Sequence, residues 1–221
     1  MNYAIILASG KGERCGLDVP KQFAKINGKT ILEYTIEAFN KNELTDRIIL
    51  VTSKAYLEFC KKLKYEKIFM VTEGGKRRQD SSRIGVNLIE EDDAKVLIHD
   101  GARPYIKNEL INNCYIALDK FSAINTGVET ADTIMEVDEN KIIKKIPNRK
   151  NLLRCQTPQG FISGLIKKAH KIALKKNLNV TDDAGLIVNL GLGDVFVVDG
   201  DIENIKITYK DDIIKAKEKL R

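Results

Sequence analysis

The chain has 221 residues, and its 37 lysines and arginines exceed its 31 aspartates and glutamates, giving a formal net charge of +6. This length suits a single domain with one large hydrophobic core. Apolar runs such as residues 4–8 are much shorter than the roughly 20 residues that span a bilayer, and no signal-peptide pattern opens the chain. We therefore expect a soluble, cytoplasmic protein with no membrane partner. The lysines are scattered and form no basic tail, which argues against a nucleic-acid partner.

The cysteines give no sign of a metal site or a disulfide framework. The chain has no C-x-x-C pair and only two histidines, whereas zinc sites and disulfide scaffolds need closely patterned ligands or partners. The four cysteines are widely and irregularly spaced: Cys15, Cys60, Cys114 and Cys155.

Strand and helix patterns alternate through the first half of the chain. Short apolar runs predict strands, and apolar residues at helical spacing predict helices. The predicted strands are 3–7, 47–51, 67–71 and 95–99, and the predicted helices are 31–40, 80–89 and 109–121. This alternation predicts an α/β fold with a mostly parallel sheet and helices on both faces.

Residues 132–147 interrupt the alternation. Two short apolar stretches there flank the polar turn 138–140, a pattern typical of a β-hairpin. Helical patterns return at 163–175 and 182–190, followed by a strand at 195–198, the alternating segment 204–208 and a charged terminal helix. With no linker or repeat, we interpret residues 1–221 as one domain with an inserted hairpin arm at 132–147.

The first motif that carries chemistry follows the first predicted strand. It reads L-A-S-G-K-G-E-R from Leu7 to Arg14, and P-K-Q-F follows at residues 20–23. Glycines in such a loop let backbone N–H groups approach phosphate oxygens, and Arg14 and Lys21 can neutralise a triphosphate. The motif is neither a Walker A loop nor a dinucleotide fingerprint. Taken alone, the loop could also be a glycine turn whose charges face solvent.

This combination resembles the sugar-phosphate cytidylyltransferases, whose best-known members act on 2-C-methyl-D-erythritol 4-phosphate or ribitol 5-phosphate. The resemblance implies a Rossmann-like CTP-binding domain that transfers CMP from CTP to a polyol phosphate and releases pyrophosphate. It also implies a homodimer in which the hairpin arm reaches across the interface. Six further segments resemble family motifs in the same order: 73–81, 99–104, 132–134, 156–159, 181–184 and 204–208.

The resemblance also implies which residues handle CTP. Arg14, Lys21 and Asp100 would be catalytic, with the two cations stabilising charge that develops on the α-phosphate. Gly74 and Gly75 form a second glycine turn, followed by Ser81. The alternative is that this turn only reverses the chain and that Ser81 only caps a helix. The implied CTP-binding residues are Ala8, Ser9, Gly10, Gly12, Gly74, Gly75, Ser81 and Gly101.

A second set of residues would bind the acceptor, with Thr133 and Arg149 donated across the dimer. Asp100 follows an apolar strand, at the edge of the sheet where α/β folds bind ligands. The resemblance makes it a ligand for Mg²⁺ or another divalent cation, for an acceptor hydroxyl, or for both. A structural Asp–Arg pair and an exposed strand lysine are the alternatives. The implied acceptor-binding residues are Asp100, Arg103, Thr133, Arg149, Thr157 and Lys206.

Some motifs of the chain resemble family members that use one acceptor, and other motifs resemble members that use another. Met135 and the segment 146–149 resemble the ribitol branch of the family, whereas 78–81, 99–103 and 181–184 resemble the methylerythritol branch. We favour 2-C-methyl-D-erythritol 4-phosphate, an intermediate of isoprenoid precursor synthesis, and keep ribitol 5-phosphate as the alternative.

Two residues of the first motif differ from the family pattern. Ser9 replaces the alanine or glycine usual in the first loop, and Cys15 replaces a methionine or similar residue.

A non-catalytic nucleotide-binding regulator could share the fold, since fold does not fix function. The combination of Arg14, Lys21, Asp100 and Lys206 argues against that class.

Overall fold

The computed structural model describes residues 1–12 and 15–220. Its centre is a seven-stranded sheet in the order β11-β7-β10-β6-β1-β4-β5, and β2-β3 and β8-β9 form two small ribbons. Strand β10 runs antiparallel to β6 and β7, while the other neighbours in the large sheet are parallel. In chain order the strands are β1 (Asn2–Ala8), β2 (Lys25–Ile26), β3 (Lys29–Thr30), β4 (Arg47–Thr52), β5 (Ile68–Glu73), β6 (Lys95–Asp100), β7 (Ala123–Glu129), β8 (Glu136–Val137), β9 (Ile143–Lys145), β10 (Leu153–Ile162) and β11 (Phe196–Asp199).

Helices cover both faces of the large sheet. Residues 4, 6 and 8 of β1 pack into one apolar cluster with α1 and α4, whereas residues 3, 5 and 7 pack into a second with α3, α5 and α6. Because successive strand residues point to opposite faces, both faces are buried. The helices are α1 (Ile31–Lys41), α2 (Leu57–Lys61), α3 (Arg78–Val86), α4 (Asn108–Ala117), α5 (Ser163–Lys175), α6 (Ala184–Leu190) and α7 (Lys210–Lys219). The predicted α/β class is confirmed.

Helix α1 shows how local sequence sets an element. The Thr30 hydroxyl accepts a hydrogen bond from the Glu33 backbone N at 3.2 Å, and the Glu33 carboxylate accepts from the Thr30 backbone N at 2.8 Å. This capping box satisfies N–H groups that the first turn leaves without partners. The apolar stripe predicted by periodicity is the buried face of the helix: Ile31, Leu32, Thr35, Ile36 and Phe39.

Two strands of the large sheet were not predicted from the sequence. Strands β7 and β10 carry polar residues at buried positions, including Gln156, Thr157 and Gln159. The sequence of these strands therefore lacks the apolar run that predicts a buried strand. Their polar side chains are tolerated in the interior because hydrogen bonds satisfy them. Segment 204–208 forms no strand, although the Ile207 N–H donates to the Ala102 carbonyl at 2.9 Å.

The chain order places a ligand crevice between β1 and β6. After β1 the chain adds β4 and β5 on one side, then crosses back to place β6 on the other side of β1. Such a reversal is the switch point where open α/β sheets bind ligands beyond the carboxyl ends of the strands. Asp100, the last residue of β6, lies opposite Leu7 of β1.

The predicted hairpin exists as β8 and β9, and all side chains of residues 132–147 are exposed or half-buried. Its role in dimerisation stays a prediction. No helix in the described part of the chain combines the length and the apolar character needed to cross a membrane.

Candidate active site

A cleft of about 500 Å³ opens beside the carboxyl ends of β1 and β6. Among the described residues that line it, six side chains are cationic and Asp100 is the single carboxylate. Clefts lined by one sign of charge concentrate ligands of the opposite sign. The cleft therefore suits a strongly anionic ligand such as a nucleoside triphosphate. The six cationic residues are Lys11, Lys21, Lys76, Arg77, Arg78 and Lys206.

The first loop, residues 8–12, is fixed against the segment that carries Lys21. The Gln22 side-chain amide donates to the carbonyls of Ala8 and Gly10, each at 2.7 Å. Gly12 has a φ of +72°, and a Cβ there would lie 2.8 Å from the Lys21 backbone N. Only glycine combines that backbone conformation with so close an approach. Lys21 is buried in the wall of the cleft.

Ser81 joins the first loop to the second glycine turn. Its hydroxyl accepts from the Gly75 backbone N at 3.1 Å and lies 2.8 Å from the Ser9 hydroxyl. A Cβ on Gly74 would lie 2.7 Å from both Ser81 Oγ and Ser9 Cβ, so the turn packs directly on the loop. Ser81 lies inside α3, whose N-cap is Arg77, so it does not cap the helix. The serine at position 9 thus supplies a contact that alanine or glycine would lack.

Cys15, which follows the first loop, contacts a segment that is distant along the chain. Cys15 is buried, and its thiol donates to the Thr208 carbonyl at 3.2 Å. This contact ties Cys15 to the segment that carries Lys206. The prediction for Arg14 falls outside the described residues.

Asp100 holds three cations at the base of the cleft. Its Oδ1 accepts from Arg78 Nε at 3.2 Å, while Oδ2 lies 2.8 Å from Lys206 Nζ and 3.7 Å from Arg103 Nε. Burial by itself would raise the pKa of Asp100, but Arg78, Lys206 and Arg103 outweigh it and hold that pKa well below its usual range. Asp100 is therefore ionised at any physiological pH.

Behind Asp100, Thr157 and His99 form a buried support. The Thr157 hydroxyl accepts from the Asp100 backbone N at 3.1 Å and lies 3.0 Å from His99 Nδ1. His99 Nε2 lies 3.2 Å from the Arg103 carbonyl, which can only accept, so Nε2 carries the proton and Nδ1 accepts from Thr157. Burial lowers the pKa of His99 to about 3, so the ring is neutral. The structure places Thr157 under Asp100, with its hydroxyl engaged on both sides.

Side chains from β10 and the loop after β6 hold Lys206 in place. Arg103 Nη1 donates to the Asn204 carbonyl at 2.7 Å, and Asn204 Nδ2 donates to the Thr157 carbonyl at 2.8 Å. Gln156 Nε2 donates to the Asp201 carbonyl, just before the segment that carries Lys206, at 2.8 Å. The roles of Asn204 and Gln156 were missed from the sequence, although both lie in segments that resemble family motifs.

A second buried carboxylate was also missed. Asp183 Oδ2 lies 2.6 Å from Arg78 Nη1, and its side chain is buried. The neighbouring Asp182 instead accepts from the Gly185 backbone N at 2.8 Å, at the start of α6. The sequence signal was the paired aspartates, but their spacing alone does not tell which one turns inward.

Eight of the described residues predicted for the site do not line the cleft: Ala8, Gly74, Ser81, Gly101, Arg103, Thr133, Arg149 and Thr157. The Gly101 backbone N donates to the Leu7 carbonyl at 2.9 Å, which joins the ends of β6 and β1. Thr133 and Arg149 are exposed, and Arg149 Nη1 donates to the Ala131 carbonyl at 2.9 Å. Within one protomer the cleft is therefore formed without the hairpin arm.

The donor set fits a divalent cation in one way. The part of the chain that is described has no cluster of three or more His, Cys, Asp and Glu side chains able to hold a metal. Mg²⁺ is commonly bound by one or two carboxylates together with substrate phosphates and water. Asp100 is the single carboxylate among the described residues that line the cleft and would be that protein ligand, with the remaining ligands drawn from a bound triphosphate, although both of its oxygens already contact cations.

The geometry supports chemistry that works by alignment and fixed charge. Cations, backbone N–H groups and one ionised carboxylate surround the cleft, and both described histidines are buried. Phosphoryl and nucleotidyl transfer need little covalent help from the protein and depend on positioning and preorganised charge.

Comparisons with known proteins agree with this geometry. A family model described as 2-C-methyl-D-erythritol 4-phosphate cytidylyltransferase matches residues 2–221. A protein of that name from Thermosipho melanesiensis is 43% identical over 220 residues, covering 96% of this chain and 95% of the relative. One from Clostridium novyi is 39% identical over 217 residues, covering 96% and 93%.

Solved structures give the same result for the fold. The 4-diphosphocytidyl-2C-methyl-D-erythritol synthase from Anaerococcus prevotii has a TM-score of 0.89 and 32% identity, covering 100% of this chain and 98% of that chain. The 2-C-methyl-D-erythritol 4-phosphate cytidylyltransferase from Francisella tularensis has a TM-score of 0.84 and 33% identity, covering 98% of both chains. The resemblance stated from the motifs and the Rossmann-like fold that it implied are confirmed.

Proposed function

The chain belongs to the 2-C-methyl-D-erythritol 4-phosphate cytidylyltransferase family, and we propose that it transfers CMP from CTP to 2-C-methyl-D-erythritol 4-phosphate, releasing pyrophosphate. The observation that carries this proposal is the cluster at the sheet's switch point, where Asp100 holds Arg78, Arg103 and Lys206 beside a cationic cleft. The product is a CDP-alditol for isoprenoid precursor synthesis.

The first loop binds the triphosphate in this proposal. Backbone N–H groups of Gly10 and Gly12, with Lys11, contact phosphate oxygens. Lys21 lies at the cleft wall and stabilises the charge that develops on the α-phosphate as the acceptor attacks. Arg14 is assigned the same task by the family resemblance. Loss of one such donor costs on the order of 10²- to 10³-fold in rate.

The second glycine turn reads the cytidine. Backbone groups of Gly74 and Gly75 lie next to the first loop because Ser81 links the two segments, so base and triphosphate are aligned by one rigid unit. A turn built from backbone groups can match the donors and acceptors at one base edge. We therefore propose a preference for CTP over ATP and GTP, and comparable turnover with all three would refute this assignment.

The acceptor binds on the side of Asp100 and Lys206. An oxygen of its phosphate attacks the α-phosphorus, and the bond from that phosphorus to the pyrophosphate oxygen breaks. Asp100 orients an acceptor hydroxyl, and Lys206 and Arg103 neutralise the acceptor phosphate. The buried, neutral His99 is not required as a base, because a phosphate oxygen attacks without losing a proton. A divalent cation, when bound at Asp100, neutralises charge on the triphosphate.

The proposal includes a homodimer in which Thr133 and Arg149 reach the partner's acceptor site. Both residues lie on or beside the exposed hairpin arm and outside the cleft of their own protomer. The arm's apolar side chains are about half exposed: Ile134, Met135, Val137, Ile142, Ile143 and Ile146. A ribbon of two short strands is not stable alone in water, so a partner surface accounts for it. The proposed location is the cytoplasm, as expected from the sequence.

The decisive experiment measures pyrophosphate release from CTP and Mg²⁺ with each of the two acceptors. We expect 2-C-methyl-D-erythritol 4-phosphate to give the higher kcat/KM, by roughly 10- to 200-fold if one methyl group decides the fit. A tenfold advantage for ribitol 5-phosphate would overturn the acceptor choice and leave cytidylyl transfer intact. No release with either acceptor would favour a regulator.

A further inference from the structure

Asp183 is a buried carboxylate beside the site with no role in the reaction proposed above. Its Oδ2 lies 2.6 Å from Arg78 Nη1, and its backbone N donates to Gln159 Oε1 at 2.8 Å. The nearby His170 is 3.8 Å from Asp183 Oδ1, and burial lowers the pKa of His170 to about 4. His170 is therefore neutral at physiological pH, and Arg78 supplies the positive charge that compensates Asp183.

Arg78 is divided between two carboxylates. Its Nε contacts Oδ1 of Asp100 at 3.2 Å, while its Nη1 contacts Asp183. Burial opposes the charge of Arg78, but Asp183 and Asp100 outweigh burial and raise the pKa of the guanidinium. A guanidinium next to a single carboxylate favours a forked pair that occupies both oxygens. Here Asp183 holds Nη1, while Nη2, the nitrogen that would complete a fork with Nε on Asp100, is buried without a hydrogen-bond partner, so Arg78 meets Asp100 through one nitrogen only.

The remaining oxygen of Asp100, Oδ2, contacts the two cations that the proposed function assigns to the acceptor phosphate, Lys206 and Arg103. Oδ2 lies 2.8 Å from Lys206 Nζ, the cation assigned above to the acceptor phosphate. If Arg78 forked onto Asp100, it would compete with Lys206 for Oδ2. The division of Arg78 between the two aspartates therefore keeps Oδ2 available.

We propose that Asp183 is a positioning residue for cytidylyl transfer: by holding one end of Arg78, it reserves Asp100 Oδ2 for Lys206 and the acceptor. The inference rests on the proposed function, because it assigns the acceptor to the Lys206 side. Asp183 itself touches neither substrate.

The first test compares Asp183→Asn with a matched control. The substitution keeps the size of the side chain and removes its charge. Asp92→Asn is the control, because Asp92 is an exposed carboxylate that pairs with Lys167 at 2.8 Å and lies outside the cleft. We expect Asp183→Asn to lower kcat/KM for the acceptor by on the order of 10- to 100-fold, as is common for groups that orient a binding residue. Calorimetric affinity for CTP should stay nearly unchanged, and the control should match the wild type.

A double substitution separates positioning from a general loss of stability. In the Asp183→Asn background, Lys206→Ala should cost much less than in the wild type, because Oδ2 is already engaged by Arg78. Losses that multiply in full would overturn the proposal, as would an acceptor kcat/KM equal to that of the wild type. Assays are run well below the melting temperature of each variant, so partial unfolding does not contribute.

A crystal structure of Asp183→Asn gives a readout that does not depend on turnover. Two nitrogens of Arg78 should lie within hydrogen-bonding distance of Asp100, and an unmoved Arg78 would overturn the proposal. If the wild-type protein turns over no acceptor, the proposed function fails, while this structure still decides the role of Asp183. If Asp183→Asn does not fold, Arg78→Lys replaces it, since lysine cannot bridge both carboxylates. That variant should lose acceptor kcat/KM, and wild-type kinetics would refute the inference.

Discussion

At the scale of single residues, the site depends on one carboxylate shared by three cations. Asp100 is buried, yet Arg78, Arg103 and Lys206 keep it ionised. A buried charge with a partner removed is costly, typically about 3–5 kcal/mol, because the remaining charge is left uncompensated. Lys206 differs from the two arginines, because its side chain is 35% exposed. It can therefore be removed with the least damage to the fold.

Lys206→Ala should weaken the acceptor and spare CTP. We expect kcat/KM for the acceptor to fall by on the order of 10²-fold, since a charge that stabilises the transition state is lost. The control is Lys61→Ala, because Lys61 pairs with the exposed Glu58 outside the cleft. Steady-state kinetics with each substrate varied in turn makes the measurement. An equal loss of CTP affinity would contradict the assignment of Lys206 to the acceptor side.

The two histidines predict acid sensitivity of the fold. Burial lowers the pKa of His99 to about 3 and that of His170 to about 4, both from 6.5. The unfolded chain therefore takes up protons first as the pH falls. The free energy of unfolding therefore keeps its full value above pH 6.5 and falls progressively below it, by about 2 kcal/mol per histidine at pH 5.

Urea unfolding at pH 7.5 and pH 5 measures this effect. The free energy of unfolding should be several kcal/mol smaller at pH 5, and His170→Gln should reduce the difference by about 2 kcal/mol, because one titrating group is gone. The same free energy at both pH values would contradict the burial of neutral histidines.

At the scale of elements, the proposed CTP site consists of two loops joined through one helix residue. Ser81 of α3 hydrogen-bonds to both the first loop and the glycine turn. The strands beneath them are held by parallel pairing of β1 with β4 and β6. The sheet thus fixes where the loops start, and Ser81 fixes how the loops lie against each other.

Ser81→Ala should raise the KM for CTP with little change in the KM for the acceptor. A net hydrogen bond contributes about 0.5–1.5 kcal/mol, so the rise should be roughly 2- to 10-fold. Thr30→Ala is the matched control, since it removes the cap of α1 and should cost about 1 kcal/mol of stability without changing the KM for CTP. Equal effects of the two variants on the KM for CTP would show that Ser81 acts only through stability.

At the scale of the whole molecule, one protomer presents a cleft without two of its proposed acceptor ligands. Thr133 and Arg149 are exposed on the side of the arm. In a dimer whose arms exchange, each complete site combines Lys206 of one protomer with Arg149 of the other.

Mixing two inactive variants tests that exchange. Lys206→Ala and Arg149→Ala should each lose most activity on the acceptor, while a mixture that has exchanged subunits should regain part of it. The gain is expected because half of the sites in a mixed dimer would carry both residues intact. Sedimentation should give about twice the chain mass of 24.9 kDa. Activity from a species of the single-chain mass, or no gain on mixing, would refute the shared site.

The sequence by itself determined the elements that rest on local or periodic patterns. The apolar stripe of α1, the run that becomes β1 and the strand that ends at Asp100 all follow from residues close together in the chain. Such patterns report how each segment meets the core. They also sufficed to recognise the family, because its motifs lie in a fixed order.

Only the tertiary structure decided which residues meet at the site. Strand β10 escaped prediction because its buried side chains are polar and are satisfied by partners far away in the sequence, such as His99 for Thr157. Asp183 gained its place at Arg78, and Lys206 its place on Asp100, by contacts between segments that are distant along the chain. A sequence motif specifies that a charge is present, whereas its partner depends on how the sheet and loops bring separate segments together.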